Sequence, residues 1–204
     1  MARRKLPLLT ERSLAQMKAD RIELAAAVES KMPAVSCKPG CAACCSYPLY
    51  ISILEGMLLY RHLTEKGYWT PAFRQKLQAH DKKTYDVVSQ VWILLDIPCP
   101  LLDKNRKCIA YSARPFSCRT MFAVSDAHFC NPPEMMNAVF VPRETMLAKF
   151  RQAEAEILAR HKLALVGLSL SKAILLAEKI MTGDADLEQF MRVALDNLAE
   201  ARST

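Results

Sequence analysis

Residues 37–45 read Cys37-Lys38-Pro39-Gly40-Cys41-Ala42-Ala43-Cys44-Cys45, four cysteines within nine positions. Four more follow, Cys99, Cys108, Cys118 and Cys130. A scattered cysteine behaves as a small buried hydrophobe, but four so close together do not suit that role. The basic start Arg3-Arg4-Lys5 reads as a solvated end, and no apolar stretch of signal-peptide length follows it. The chain is therefore expected in the cytoplasm, where thiols stay reduced. Clustered reduced cysteines point to metal ligation or redox chemistry, with zinc or iron as the expected cofactor.

Tetrahedral zinc takes four thiolate or imidazole ligands, often from short loops carrying two cysteines each. An iron–sulfur cluster such as [4Fe-4S] also takes four thiolates. Pro39 and Gly40 bend the chain between Cys37 and Cys41. Cys41 and Cys44 are three apart, so on a helical turn they share a face. Cys45 then points about 100° away from Cys44, which leaves it for a second metal, a bridge, a redox role or the core. The expected ligands are Cys37, Cys41, Cys44, Cys99, Cys108 and Cys118, with Cys45 and Cys130 as further members of the metal set.

The second group lies on a β-hairpin expected around the polar run Asp103 to Lys107, between Leu101–Leu102 and Ile109–Tyr111. A turn centred on Asp103 and Lys104 sets Cys99 opposite Cys108, with Cβ atoms roughly 5 Å apart. A one-residue shift destroys that pairing. Arg114 and Arg119 flank Cys118; they either offset thiolate charge or are ordinary surface arginines. Tyr111 either donates to a sulfur or caps the core, and the core is the better reading. His128, two residues before Cys130, is a candidate auxiliary ligand. His62, His80 and His161 sit in expected helices without partner spacing and read as packed or solvated.

The remainder is helical in pattern. Thr10 caps a helix running to about Lys31, with Leu14, Met17, Ile22, Leu24 and Val28 on its apolar side, and Pro33 ends it. Ser52 and Glu55 form a capping box that starts a helix at Ile53, and Gly67 stops it. Thr70 and Pro71 open another, through about Leu95. Helices are also expected over 143–161, 163–181 and 186–201. The apolar run from Leu163 to Leu176 contains Gly167 and Lys172 and reads as a buried core helix rather than a membrane span. With only 5 glycines, 51% apolar residues and few alternating stretches, the fold class is mainly α: a helical bundle around a cysteine-rich loop region, with one small β-hairpin. Its expected divisions are an N-terminal helix (1–34), a cysteine-cluster metal-binding domain (35–132) and a C-terminal helical region (133–204), packed as one globular unit. The formal net charge of +7 permits a weak preference for anionic partners, including a protein partner. No basic stripe interleaved with aromatics is present, so specific nucleic-acid binding is not expected.

The stretches CKPGCAACC, CPLLDKNRKC and YSARPFSCR resemble the YkgJ-type cysteine-cluster family, a zinc- or iron-chelating domain. The resembling positions are Cys37, Cys41, Cys44, Cys45, Glu55, Cys99, Pro100, Leu102, Asp103, Cys108, Tyr111, Arg114, Pro115, Cys118 and Arg119. The resemblance implies metal binding over about residues 35–122 and leaves the metal and any reaction open. A more distant similarity is to flagellin lysine methylases, which carry a related cysteine cluster and use S-adenosylmethionine.

Three functional readings follow. The first is a metal-binding protein whose cysteines hold zinc or an iron centre without catalysis. The second is an iron–sulfur-dependent enzyme, redox or S-adenosylmethionine-dependent. The spacing Cys37-x3-Cys41-x2-Cys44 resembles the motif of radical S-adenosylmethionine enzymes, but their barrel needs alternating strands and helices that are absent here. The third is a metal carrier with Met121, Met135 or Met136 as soft auxiliary ligands. Catalytic residues are not legible.

Overall fold

The computed structural model describes residues 9–30, 33–38, 40–85, 87–131, 134–160 and 164–184. Helices dominate them, with one two-stranded antiparallel sheet. The expected helix over 186–201, His161, Pro39 and the side chains of Met135 and Met136 lie outside the described residues.

Helix α1 spans Leu9–Glu29. Thr10 lies inside it rather than capping it. Leu14, Met17, Ala25 and Val28 are buried along one stripe, as the periodicity requires. Ile22, expected on that stripe, is 47% exposed, and Arg21 takes the inward position instead. Strand β1 (Tyr50–Ile51) leads into α2 (Ile53–Glu65). The Ser52 side chain accepts the N–H of Glu55 at 3.1 Å, the capping bond that starts α2. The reciprocal half of a capping box is not made: Glu55 turns inward to a partner described below. Gly67, at φ 72°, follows the Lys66 C-cap of α2 in the left-handed region.

Helix α3 (Pro71–Thr84) opens where Thr70 accepts the N–H of Phe73. It does not run on to Leu95. The chain breaks after Thr84 and resumes as the short α4 (Ser89–Leu94). Thr84 bonds its hydroxyl back to the carbonyls of His80 and Asp81, which competes with continuation of the helix. The β-branched Val87 and Val88 also disfavour helix. The break lets buried Trp92 turn back onto His80, ring centroids 5.7 Å apart.

Short α5 (Phe116–Arg119) carries Cys118, and α6 spans Glu144–Ala159, as expected. Strand β2 (Leu168–Ser169) pairs antiparallel with β1, Tyr50 opposite Ser169 and Ile51 opposite Leu168. Helix α7 (Leu170–Thr182) then begins, seven residues later than expected, because Leu168 and Ser169 are taken into the sheet and Ser169 caps the helix. α7 is the buried core helix of that apolar run: Leu170, Ala173, Ile174, Ala177 and Ile180 are inaccessible. Among the described residues, no helix is long and apolar enough to cross a membrane.

The core forms where α2 packs on α7 and α1 packs on α6. Gly56 makes the α2–α7 approach possible: a Cβ there would sit 2.6 Å from the carbonyl oxygen of Ala173. Phe116 stacks on Phe150 of α6 with centroids 4.5 Å apart and planes 13° from parallel. That contact drives α5, and Cys118 with it, against the helical core.

Candidate metal centre

The first cysteine group sits on a loop that closes into a 3-10 turn over Ala43–Ser46. The N–H of Cys41 donates to Lys38 O and that of Cys45 to Ala42 O. The backbone joins this loop to the second group: the N–H of Cys99 donates to Cys45 O at 2.7 Å. At its other end, Ala123 N–H donates to Cys37 Sγ at 3.3 Å, and Ser36 N–H to Ala123 O. Distant stretches of chain thus meet on one face. All eight cysteines are free thiols.

The expected hairpin shrinks to a tight turn with one antiparallel bridge, Leu102 to Cys108. Asp103 Oδ1 accepts the N–H groups of both Asn105 and Lys107 at 2.8 Å, and Asp103 N–H donates to Lys107 O. This side-chain turn moves the centre to Asn105, so Cys108 opposes Leu102 and not Cys99. The direct Cys99–Cys108 pairing therefore fails, although the two thiols still influence each other.

Four thiols form the inner group: Cys44, Cys99, Cys108 and Cys118. Desolvation, with smaller contributions from Cys108 and Cys44, pushes Cys99 up to about 12. Desolvation raises Cys108, with Cys44 adding to it. Cys118 is raised well above an ordinary thiol by desolvation, then by Cys99, Cys44, Glu55 and Cys108. Cys44 is raised first by its hydrogen bond with Cys45 and then by burial. Ionisation of any one of the four opposes ionisation of the others. Cys130, buried, forms an outer group with Cys37 and Cys41, each of which raises its pKa after desolvation. Cys44 also acts on Cys130, linking the two groups.

Among the described residues, no three histidine, cysteine or acidic side chains are gathered tightly enough to grip one ion as the chain stands. The quartet's sulfurs are the donor type that a soft metal takes. The four thiols are half-buried, and desolvation and mutual repulsion oppose their thiolate forms. A cation among them reverses both effects.

Positive charge surrounds the quartet. Arg114 favours the thiolates of Cys44 and Cys108, and Lys76 that of Cys99. Lys76 reaches in from α3, donating its ammonium to Leu102 O at 2.8 Å. Arg143 lies near Cys118 and Cys44, donating to Ser117 O and to Thr120 Oγ1. Arg119 points toward α1, its guanidinium 3.8 Å from Glu29. Tyr111 is 55% exposed and lies under the Arg114 guanidinium at 3.7 Å, so it is not a core residue. His128 is exposed, its Nδ1 is 3.1 Å from Asp126, and its ring leans on Phe129.

Residues outside the cysteine motifs hold the Cys118 turn. Buried Arg21 of α1 donates to Ala113 O at 3.0 Å and Arg114 O at 3.1 Å. Glu55 accepts the N–H of Phe116 at 2.7 Å. Beside it, Ser52 donates its hydroxyl to Glu154 of α6. Burial raises the carboxyls of both Glu55 and Glu154 above the usual range, and Glu55 raises Glu154 further. Arg21 and Glu154 were not singled out from sequence. Arg21 had one available signal, a charge on the apolar stripe four residues from both Met17 and Ala25.

No curated protein and no solved structure matches the chain. A family model, CxxCxxCC, described as "Putative zinc- or iron-chelating domain", matches residues 36–137. That segment holds all eight cysteines and half the chain, and the chain belongs to this CxxCxxCC family.

Proposed function

We propose that the protein binds zinc or iron through its thiolates in two linked groups. Cys44, Cys99, Cys108 and Cys118 form the inner set. Cys37, Cys41 and Cys130 form the outer set, with Cys45 between them. The observation that carries this reading is the junction of the cysteine stretches: Cys99 N–H donates to Cys45 O at 2.7 Å and Ala123 N–H to Cys37 Sγ at 3.3 Å, which sets the 37–45 loop against the later cysteines. Four half-buried thiols gain little as a hydrophobic core, whereas a divalent cation would stabilise them as thiolates.

In this reading Arg114, Lys76 and Arg143 offset the negative charge of a thiolate-bound centre. Arg21 and Glu55 hold the Cys118 turn from the helical core. The packing of α1 on α6 and of α2 on α7 supports a single unit in which the 35–132 segment is braced by helices on either side. The bound metal would supply charge neutralisation and Lewis acidity, and the iron form would add electron transfer.

Purification without oxygen, followed by elemental and acid-labile sulfide analysis, tests the reading. Zinc without sulfide supports a plain thiolate site. Iron with matching sulfide and visible charge-transfer absorption supports a cluster. Neither metal above trace level overturns the proposal.

A further inference from the structure

Eleven large apolar side chains stand exposed among the described residues, and five of them fall within residues 85–95: Tyr85, Val88, Val91, Leu94 and Leu95. The clustering follows from the break after Thr84, where Trp92 turns inward onto His80 and leaves its neighbours on α4 facing solvent. Val88, Val91 and Leu95 are spaced i, i+3 and i+7, so they share one stripe, with Leu94 one turn from Val91. A single exposed apolar residue needs no explanation, whereas five in one short stretch mark an interaction surface. The charges narrow the partner. The whole chain carries +7, but Lys82, Lys83, Asp86 and Asp96 cancel across residues 82–96. An anionic membrane or a nucleic acid is drawn to basic surface and gains nothing from a neutral face. The cancellation also has a direction. Before α4 stand Lys82, Lys83 and Asp86, one positive charge in excess, and after it stands Asp96. Lys82, Lys83 and Asp96 are exposed, and none has an ion-pair partner among the described residues. An apolar stripe with opposite charge at its two ends complements an antiparallel copy of itself.

We propose that α4 pairs with α4 of a second copy of this chain, antiparallel about a twofold axis near Val91. Val88 packs on Leu94 and Leu95 of the partner subunit, and the Lys82–Lys83 end of each copy meets the Asp96 end of the other. The contact is isologous, so every substitution in it acts twice. The surface is small, which makes the dimer weak, with a Kd on the order of 10–100 μM. The pairing uses no cysteine and stands apart from the metal reading.

Sedimentation equilibrium of the full chain, from about 1 μM to about 500 μM, tests the proposal. Excess reductant removes disulfide dimers, and parallel runs with zinc and with a chelator identify metal-bridged ones. A reversible monomer–dimer equilibrium is expected under both conditions. Leu94→Asp is expected to weaken it at least about a hundredfold. Asp96→Lys is expected to weaken it roughly tenfold, and adding Lys82→Glu and Lys83→Glu to Asp96→Lys is expected to restore it. Circular dichroism checks the fold of each variant, and the charge swap decides alone if Leu94→Asp fails to fold. A monomer at every concentration, a dimer that needs zinc, or a dimer indifferent to Leu94→Asp overturns the proposal. So does a triple charge variant no tighter than Asp96→Lys alone. Binding of a monomeric chain to phosphatidylglycerol vesicles, lost in Leu94→Asp, assigns the face to a lipid surface and overturns it too.

Discussion

The Glu55 carboxylate accepts the backbone N–H of Phe116 at 2.7 Å, across 61 residues of chain. This bond joins the first turn of α2 to the first residue of α5, two positions before Cys118. Phe116 is fully buried, so its N–H has no access to water once Glu55 is removed. Glu55→Ala is expected to cost about 1–3 kcal/mol and to lower bound metal by loosening Cys118. Glu55→Gln keeps an acceptor and should retain most of both. Denaturant unfolding and metal analysis of the two variants check this; equal losses in both would contradict a role as hydrogen-bond acceptor.

Arg21 supports the same turn from the opposite helix. Its guanidinium is buried and serves two carbonyls, Ala113 O and Arg114 O. Arg21→Met keeps the apolar stem but strands both acceptors, with an expected cost of about 2–4 kcal/mol. Cys118 should become more reactive toward a thiol probe, because the turn before it is no longer tied to α1. Measured stability within a few tenths of a kcal/mol of the parent would contradict this.

Gly56 tests the helical scaffold apart from the thiols. A Cβ at this position would meet the Ala173 backbone, which cannot yield as a flexible side chain would. Gly56→Ala should destabilise by about 1–3 kcal/mol, and Gly56→Val by more. Thermal unfolding provides the measurement.

Glu154 sets a pH dependence. Burial, and then Glu55, holds its carboxyl above the usual range. A carboxyl raised in the folded state favours folding while protonated. That contribution is complete below the unfolded pKa and is lost as pH rises through the folded one. Stability should therefore fall as pH rises above the ordinary carboxylate range, and Glu154→Gln should flatten that slope. Parallel stability–pH curves for parent and variant would rule the effect out.

What was legible beforehand was local. Ser52 before α2, Thr70-Pro71 before α3 and Gly67 after α2 each act within one turn of their own position. The cysteine grouping was legible for the same reason, since most of it lies within short stretches. What escaped depended on distant partners. Leu168 and Ser169 leave the helix pattern because Tyr50 and Ile51 offer them a strand. Arg21 reads as a misplaced charge until the carbonyls at 113 and 114 appear beside it. The turn register escaped on a finer point, because one Asp103 carboxylate oxygen gathers two N–H groups and moves the turn centre to Asn105.

The inner quartet is tested most directly by counting zinc and iron per chain in protein purified without oxygen, for the parent, Cys108→Ser and Cys118→Ser. The account predicts bound zinc or iron in the parent, with the same loss in either variant, because both sulfurs serve one centre. A parent chain free of both metals, or variants with undiminished metal, would contradict it.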